Sequence, residues 1–216
     1  MRKGVLILML VGMLSCVRED FSEAKGAQST IVFLGDSLTE GMMLPRWAAY
    51  PALIEKRLKE ERFPFQAINA GVSGDTAAEG LGRSSKVLNT RVGILVLAFG
   101  ANDLPRGVPA DQCEANLQKI IDRARELNVG VKIVIAGVDL PQQRRFEGWG
   151  AYQEMYRRIA ERNSAVFIPN ILQGVAGRDD LNFPDGLHPN TEGHRVIADT
   201  MWGALLPLLT KSSPFH

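Results

Sequence analysis

Residues 30–38 read TIVFLGDSL, and this stretch decides the predicted fold. Residues 30–34 are a short apolar run rich in β-branched side chains, and Gly35 and Asp36 follow directly, a pattern typical of a buried strand that ends in a turn. Four later segments resemble it, the last more weakly, and they cover residues 65–69, 94–99, 132–138 and 165–168. The sequence therefore predicts a sheet of about five strands.

Stretches with the apolar spacing of helices separate and follow these strands, at residues 48–61, 76–89, 111–127, 149–162 and 191–209. Strands that alternate with helices form a parallel sheet with helices on both faces. We therefore predict an α/β protein with a three-layer α/β/α sandwich in one domain, residues 30–216. In open parallel sheets the ligand site lies beyond the carboxyl ends of the strands, so the loops there are expected to carry the function.

The first sixteen residues have the form of an export signal. Arg2 and Lys3 precede an apolar run at residues 4–14, which is shorter than the roughly 20 residues of a membrane-spanning helix. The sequence around Cys16, MLSC, resembles a bacterial lipobox, in which the cysteine is lipidated and becomes the first residue of the mature chain. We expect a periplasmic or membrane-anchored bacterial protein in which residues 17–29 form a tether. Ordinary signal cleavage before Thr30 is the alternative.

The composition excludes one class of partner. The chain has 25 basic and 24 acidic residues and a formal charge of +1, which gives nucleic-acid binding no electrostatic support. If Cys16 carries lipid, Cys113 is the only thiol left, so no internal disulfide can form. Stability must then come from the hydrophobic core.

Polar residues with catalytic potential follow three of the predicted strands. Ser37 lies on the first turn and is either a nucleophile or the cap of the next helix. Gly71 belongs to the glycine-rich segment 69–76, which either exposes N–H groups to a ligand or is a turn that ends in a helix cap. Asn102 follows the third strand and either donates its amide to an oxyanion or closes an Asx-turn.

Near the C-terminus, residues 185–190 read DGLHPN and place Asp185 three positions before His188. The proline that follows this histidine disfavours helical geometry, which suits an imidazole in an exposed loop. We interpret the other two histidines, His194 and His216, as structural. A metal site formed by Asp185, His188 and His194 is a weaker alternative, because no further ligand cluster accompanies these residues. We therefore expect neither a metal nor a cofactor.

The blocks GDSL, GVSGDT, GAND and DGLHPN occur in this order, each after its predicted element. Together they resemble the SGNH (GDSL) hydrolase family, especially its bacterial thioesterase/lysophospholipase and arylesterase branch. The resemblance covers about residues 30–209 and implies a flavodoxin-like sheet and an acyl-enzyme mechanism. The lidded α/β-hydrolases fit less well, because their G-x-S-x-G turn requires a glycine where Thr39 stands.

The resemblance also implies a role for each residue of the site. Ser37 is the expected nucleophile, His188 the general base and Asp185 the carboxylate that orients the imidazole. The N–H groups of Ser37 and Gly71 and the side-chain amide of Asn102 are the expected oxyanion donors. A serine hydroxyl needs such a base at neutral pH, and the donors stabilise the charge that develops on the ester oxygen.

Two sets of side chains are expected to contact the substrate. The first matches a family segment that lines the acyl pocket and consists of Leu104, Pro105 and Arg106. The second consists of Phe146, Trp149 and Tyr152, which either form an apolar mouth or belong to the core.

We predict a monomeric serine esterase for short-to-medium acyl esters, lysophospholipids or aryl esters, whose partners are a small ester or lipid and, through Cys16, a membrane. Export argues against an acyl-CoA substrate. The nearest alternative is a carbohydrate O-deacetylase or an acyltransferase, because the motifs define the acyl-enzyme but not the group that leaves or accepts. A surface lipoprotein that binds a ligand without turnover is the third reading.

Overall fold

The computed structural model describes residues 29–89, 91–139 and 147–210. Within them, five parallel strands form one sheet in the order β2-β1-β3-β4-β5. The strands are β1 (Ser29–Gly35), β2 (Phe65–Gly71), β3 (Val92–Ala98), β4 (Lys132–Ala136) and β5 (Val166–Ile168). The predicted five-stranded parallel sheet is confirmed, and its strand order is that of flavodoxin-like folds.

Six helices accompany the sheet in the described part of the chain: α1 (Ser37–Glu40), α2 (Tyr50–Glu60), α3 (Ala77–Val87), α4 (Ala110–Leu127), α5 (Trp149–Arg162) and α6 (Thr191–Thr210). Five of them correspond to the predicted helices. Helix α2 begins at Tyr50 rather than at Ala48 because Arg46–Ala48 forms a separate 3-10 turn. Helix α1 is a single turn of four residues, too short to give a periodic signal in the sequence.

The three-layer sandwich is visible in the side chains of the interior strand β1, because successive residues of a strand point to opposite faces. Ile31 and Phe33 belong to the hydrophobic cluster on the side of α2 and α6. Val32 and Leu34 belong to the cluster on the side of α3, α4 and α5. All four side chains are fully buried, as expected for a strand covered on both faces.

Some of the predicted features lie outside the described residues. They are the export signal with Cys16, nearly all of the tether at 17–29, Phe146 and His216. None of the helices in the described ranges combines the length and the apolar character that a membrane span requires.

Candidate active site

The strand order brings three loops together at the carboxyl edge of the sheet. Strand β1 lies between β2 and β3, and its last residue, Gly35, is paired with Gly71 on one side and Ala98 on the other. The loops that carry Ser37, the glycine-rich segment 71–76 and Asn102 therefore leave the sheet side by side. This is the edge where open parallel sheets bind their ligands.

The turn after β1 frees the Ser37 hydroxyl for chemistry. Asp36 is the N-cap of α1, and its Oδ1 accepts the Leu38 N–H at 3.0 Å. The capping role that competed with a nucleophilic role for Ser37 is thus filled by its neighbour. The Ser37 Oγ instead lies 3.0 Å from the Nε2 of His188, within hydrogen-bond distance.

The second half of this chain of hydrogen bonds lies in the loop before α6. His188 Nδ1 lies 2.7 Å from Asp185 Oδ2, while Asp185 Oδ1 accepts the N–H groups of Leu187 at 2.9 Å and His188 at 3.0 Å. An ionised carboxylate only accepts, so Nδ1 carries the proton and Nε2 presents its lone pair to Ser37. The structure therefore brings the three predicted triad residues into line.

The electrostatics of Asp185 suit this arrangement. Partial burial raises the pKa of the carboxyl, but the two backbone donors and the His188 side chain outweigh that effect and lower the pKa to about 2. The carboxylate is therefore charged at neutral pH. A charged acceptor holds the imidazole in one tautomer and stabilises the imidazolium that forms when Nε2 takes a proton.

The N–H of Gly71, predicted as an oxyanion donor, points to a neighbouring side chain. It donates to the Oδ1 of Asn69 at 2.9 Å and is therefore already bonded. The requirement for glycine here is steric, because a Cβ at Gly71 would lie 2.2 Å from the backbone nitrogen of Glu40 in α1. The close approach of α1 to the end of β2 explains this glycine, and its N–H is not free to meet an oxyanion in this arrangement.

Gly74, three residues further along the same loop, has the properties expected of Gly71. Its φ of +87° is favourable only for glycine, and its N–H has no hydrogen-bond partner among the described residues. The Ser37 N–H is likewise unused by its helix, because the first residue of a helix has no intrahelical acceptor. Asn102 Nδ2 donates to the Asp75 carbonyl at 3.0 Å and retains a second proton.

Buried acids lie directly beneath these loops. Asp36 is 1% exposed and its Oδ2 has no partner in the described part of the chain. Burial, aided by the charges of Asp103 and Asp75 and opposed by the Leu38 N–H, raises the Asp36 pKa to about 7. Asp103 is also buried, and both of its carboxyl oxygens lie 3.1 Å from the Ala77 N–H at the start of α3.

Residues expected to bind the substrate divide into two groups. Leu104, Pro105 and Arg106 form a 3-10 turn two residues after Asn102. Leu104 points inward and packs against both core clusters, whereas Pro105 and Arg106 are exposed at the edge. Arg106 Nη1 lies 3.2 Å from the Oε2 of Glu79 in α3.

Of the two alternatives for the aromatic set, the structure supports core packing for the two residues that it describes. Trp149 and Tyr152 are 6% and 2% exposed and belong to the core. Their polar atoms are bonded inside the protein, the Trp149 Nε1 to Asp139 and the Tyr152 hydroxyl to the Val108 carbonyl. A helical aromatic stripe looks the same in the sequence whether it faces a core or a ligand.

His194 is structural, as predicted. It is 1% exposed, and its Nδ1 accepts the Tyr50 N–H at 3.1 Å. Burial lowers its pKa to about 4, so the ring is neutral. It is not free to join Asp185 and His188 as a metal ligand, and among the described residues there is no group of three or more candidate ligands.

Exposed apolar side chains occur in the segments that carry the site, a feature that sequence reasoning missed. Five large hydrophobic residues with substantial exposure lie in the loops that carry the site: Met42, Met43, Trp47, Val72 and Leu187. Trp47 is 69% exposed, which is unusual for so large an apolar side chain. We call this set the apolar rim. The Met-Met pair and the tryptophan after the GDSL block were its only signal in the sequence.

A parallel α/β sheet with serine, imidazole and carboxylate in line at its carboxyl edge is the arrangement of a serine hydrolase. The sequence profile of the GDSL-like lipase/acylhydrolase family matches residues 33–196. The chain is 30% identical to the esterase TesA of Pseudomonas aeruginosa, with 94% of this chain and 98% of that protein covered. It is 29% identical to the thioesterase 1/protease 1/lysophospholipase L1 of Escherichia coli, covering 87% and 88%.

A solved structure of TesA agrees. It superposes with a TM-score of 0.79 and 30% identity, over 84% of this chain and 100% of that one. The chain therefore belongs to the GDSL-like lipase/acylhydrolase family, the SGNH hydrolases, and is a carboxylic ester hydrolase.

Proposed function

We propose that this protein is an exported esterase that cleaves esters of short-to-medium acyl chains, including lysophospholipids, with Ser37 as its nucleophile. The observation that carries the proposal is the unbroken chain from the Ser37 hydroxyl through His188 to Asp185, with distances of 3.0 and 2.7 Å. In this chain the serine has a base within reach, and the base is oriented by a charged carboxylate.

The first half of the reaction forms an acyl-enzyme. The Ser37 Oγ attacks the ester carbonyl while its proton passes to the Nε2 of His188. The carbonyl oxygen becomes an oxyanion, and the imidazolium then gives its proton to the departing alcohol as the C–O bond breaks. Water subsequently attacks the acyl-enzyme with the same base, which releases the acid and regenerates Ser37.

The oxyanion donors that we propose are the N–H groups of Ser37 and Gly74 and the side-chain amide of Asn102. They leave the sheet in adjacent loops, and the first two N–H groups are not engaged by the fold. Gly74 therefore replaces Gly71 in the predicted set. Each donor of this kind contributes about 100- to 1,000-fold to the rate.

The apolar rim supports substrates with hydrocarbon chains. Exposed tryptophan and methionine side chains in the segment that follows Ser37 favour contact with acyl chains over contact with the hydroxyl-rich surface of a sugar. Pro105 and Arg106 lie on the same edge and remain part of the proposed binding surface. A carbohydrate deacetylase or an acyltransferase with the same triad is the second candidate, because it would share the acyl-enzyme.

Export is part of the proposal and rests on residues 1–16 of the sequence, which end at Cys16. We propose that Cys16 carries lipid and tethers the enzyme to a membrane through residues 17–29. Labelling of expressing cells with an alkynyl fatty acid tests this: label that disappears in Cys16→Ser supports the anchor. Label that persists in this variant, or is absent from the wild type, contradicts it.

The activity is tested with p-nitrophenyl esters from acetate to palmitate. We expect turnover that Ser37→Ala reduces by more than about 1,000-fold, while Ser85→Ala, an exposed serine on α3, serves as the matched control. An optimum between butyrate and decanoate would support the proposed acyl length. Activity on acetate alone, together with release of acetate from acetylated sugars, would favour the deacetylase.

A further inference from the structure

Glu40 lies three residues after Ser37, at the end of α1, and its side chain is exposed. Its interactions are not those of an ordinary surface glutamate. In the described part of the chain it forms an ion pair with no lysine, arginine or histidine. It bonds instead to neutral groups of the loop that follows β2.

Both donors of Ser73 converge on one oxygen of this carboxylate. The Oε2 of Glu40 accepts the Ser73 N–H at 2.7 Å and also accepts the Ser73 hydroxyl. Hydrogen bonds to an ionised acceptor are roughly twice as strong as those between neutral groups. Ser73 is therefore held from α1, the helix that begins with the nucleophile.

The backbone of Glu40 contacts the end of β2, directly before this loop, at two further points. Its carbonyl accepts the side-chain amide of Asn69 at 3.2 Å, and its nitrogen packs against Gly71, where a Cβ would lie 2.2 Å away. Helix α1 is therefore held against both the end of β2 and the loop that follows it, at the carboxyl edge of the sheet.

Ser73 directly precedes Gly74, whose N–H we assign to the oxyanion hole. The Ser73 carbonyl and the Gly74 N–H belong to one planar peptide unit, so fixing Ser73 restricts the direction of that N–H. On the other side of Gly74, the Asp75 carboxylate accepts the Arg83 Nε–H at 2.5 Å, and Arg83 is itself anchored to β2 by donating to the Ala70 carbonyl at 2.7 Å. Gly74 itself has no side chain that could fix it.

We propose that Glu40 is a positioning residue that sets the direction of the Gly74 N–H through its bonds to Ser73, and so preorganises the oxyanion hole. This inference rests on the proposed function, because it assumes that an oxyanion forms above Ser37. The effect should fall on the transition state rather than on substrate binding, because the N–H is needed most when negative charge develops on the ester oxygen.

Three variants test this role. Glu40→Ala removes both bonds to Ser73, and we expect kcat to fall about tenfold with KM changed less than about twofold. Glu40→Gln keeps one acceptor oxygen, and Ser73→Ala keeps the N–H bond, so each should lose only about threefold. Since all act through one contact, Glu40→Ala combined with Ser73→Ala should be no worse than Glu40→Ala alone.

The discriminating measurement is the affinity of an alkyl trifluoromethyl ketone, which forms an oxyanion on addition of the serine. Its inhibition constant should rise in Glu40→Ala by the same factor as kcat/KM falls, and Glu126→Ala, an exposed glutamate on α4, should match the wild type. A purely structural role for Glu40 would lower the melting temperature without weakening the inhibitor selectively.

Failure of the proposed role of Glu40 can be distinguished from failure of the proposed triad. Wild-type turnover that is lost in Ser37→Ala but unchanged in Glu40→Ala, Glu40→Gln and Ser73→Ala overturns the role of Glu40 alone. Turnover that survives in Ser37→Ala overturns the triad and this role together. If Glu40→Ala does not fold, the two milder variants decide, and a wild-type inhibition constant in both contradicts the proposal.

Discussion

Asp36 directly precedes Ser37, the proposed nucleophile, and Asp185 is linked to Ser37 through His188, yet the pKa values of the two carboxyl groups are shifted in opposite directions. Asp185 lies in a partly exposed loop, accepts two backbone N–H groups and the His188 imidazole, and has a pKa of about 2. Asp36 is buried at the N-terminus of α1, accepts one backbone N–H on Oδ1, and has a pKa of about 7.

The difference shows how the same side chain is adapted to two tasks. Where several donors meet a carboxylate near solvent, the charged form is favoured, and where one donor meets it in the interior, the neutral form is favoured. Asp185 must be charged to orient and stabilise an imidazolium. Asp36 must fix the nucleophile turn as a helix cap, a task for which an acceptor oxygen suffices.

The largest effect, on catalytic rate, is expected from removing the negative charge of Asp185. Asp185→Asn keeps the size of the side chain but presents an N–H₂ group to Nδ1, which favours the wrong tautomer of His188. We expect kcat for a p-nitrophenyl ester to fall by about 1,000- to 10,000-fold.

Asp179→Asn, at an exposed aspartate in the same region, is the matched control and should retain wild-type kcat. An Asp185→Asn enzyme with kcat within about threefold of the wild type would show that the carboxylate does not orient His188.

The next effect concerns stability and comes from neutralising Asp36. An unfolded aspartate loses its proton near pH 3.9, whereas folded Asp36 keeps its proton to about pH 7. The folded state therefore binds more protons between these values, and this group makes the wild type less stable as pH rises. Asp36→Asn lacks this penalty and retains the acceptor for Leu38.

As the pH rises from about 4 to 7, we expect the free energy of unfolding of Asp36→Asn, relative to that of the wild type, to increase by about 1.4 kcal/mol per pH unit. Urea denaturation at pH 4.5, 5.5 and 6.5 measures the difference. A difference that stays constant with pH would mean that Asp36 is charged in the folded protein throughout this range.

A smaller effect, with the opposite dependence of stability on pH, is expected at His194. This buried base extends the comparison of the two aspartates to a basic group. Unfolded histidine takes up a proton below about pH 6.5, whereas folded His194 stays neutral to about pH 4. The wild type therefore loses stability through this group as pH falls across that window.

His194→Asn places an oxygen near Nδ1 as acceptor for the Tyr50 N–H and removes the titration. Its free energy of unfolding, relative to the wild type, should become more favourable by up to about 3 kcal/mol from pH 7 to pH 4. The same urea series measures it, and a relative stability that moves the other way would exclude a neutral buried ring.

The sequence is sufficient to predict the strands and most of the candidate site, and the residues that it does not assign correctly have physical reasons. The strands and the triad are predictable because buried strands are continuous apolar runs and because Ser37, Asp185 and His188 sit in short local motifs. Gly71 and Gly74 cannot be told apart in this way, since their roles depend on which N–H the Asn69 side chain takes and on how closely α1 approaches β2.

The same limit applies to side chains whose meaning depends on what they face. Trp149 and Tyr152 have the spacing of either a core stripe or a ligand-binding stripe, and tertiary packing places them in the core. Glu40 has no local partner in its own helix, and its contact with Ser73 joins residues that are 33 positions apart. Long-range contacts of this kind leave no periodic signal.

The central claim is that Ser37 is the nucleophile, and covalent labelling with a fluorophosphonate probe followed by peptide mapping tests it most directly. The account predicts one adduct, on the peptide that contains Ser37, which is absent in Ser37→Ala, strongly slowed in His188→Ala and unchanged in Ser85→Ala. An adduct on another residue, or equal labelling of Ser37→Ala and the wild type, would contradict it.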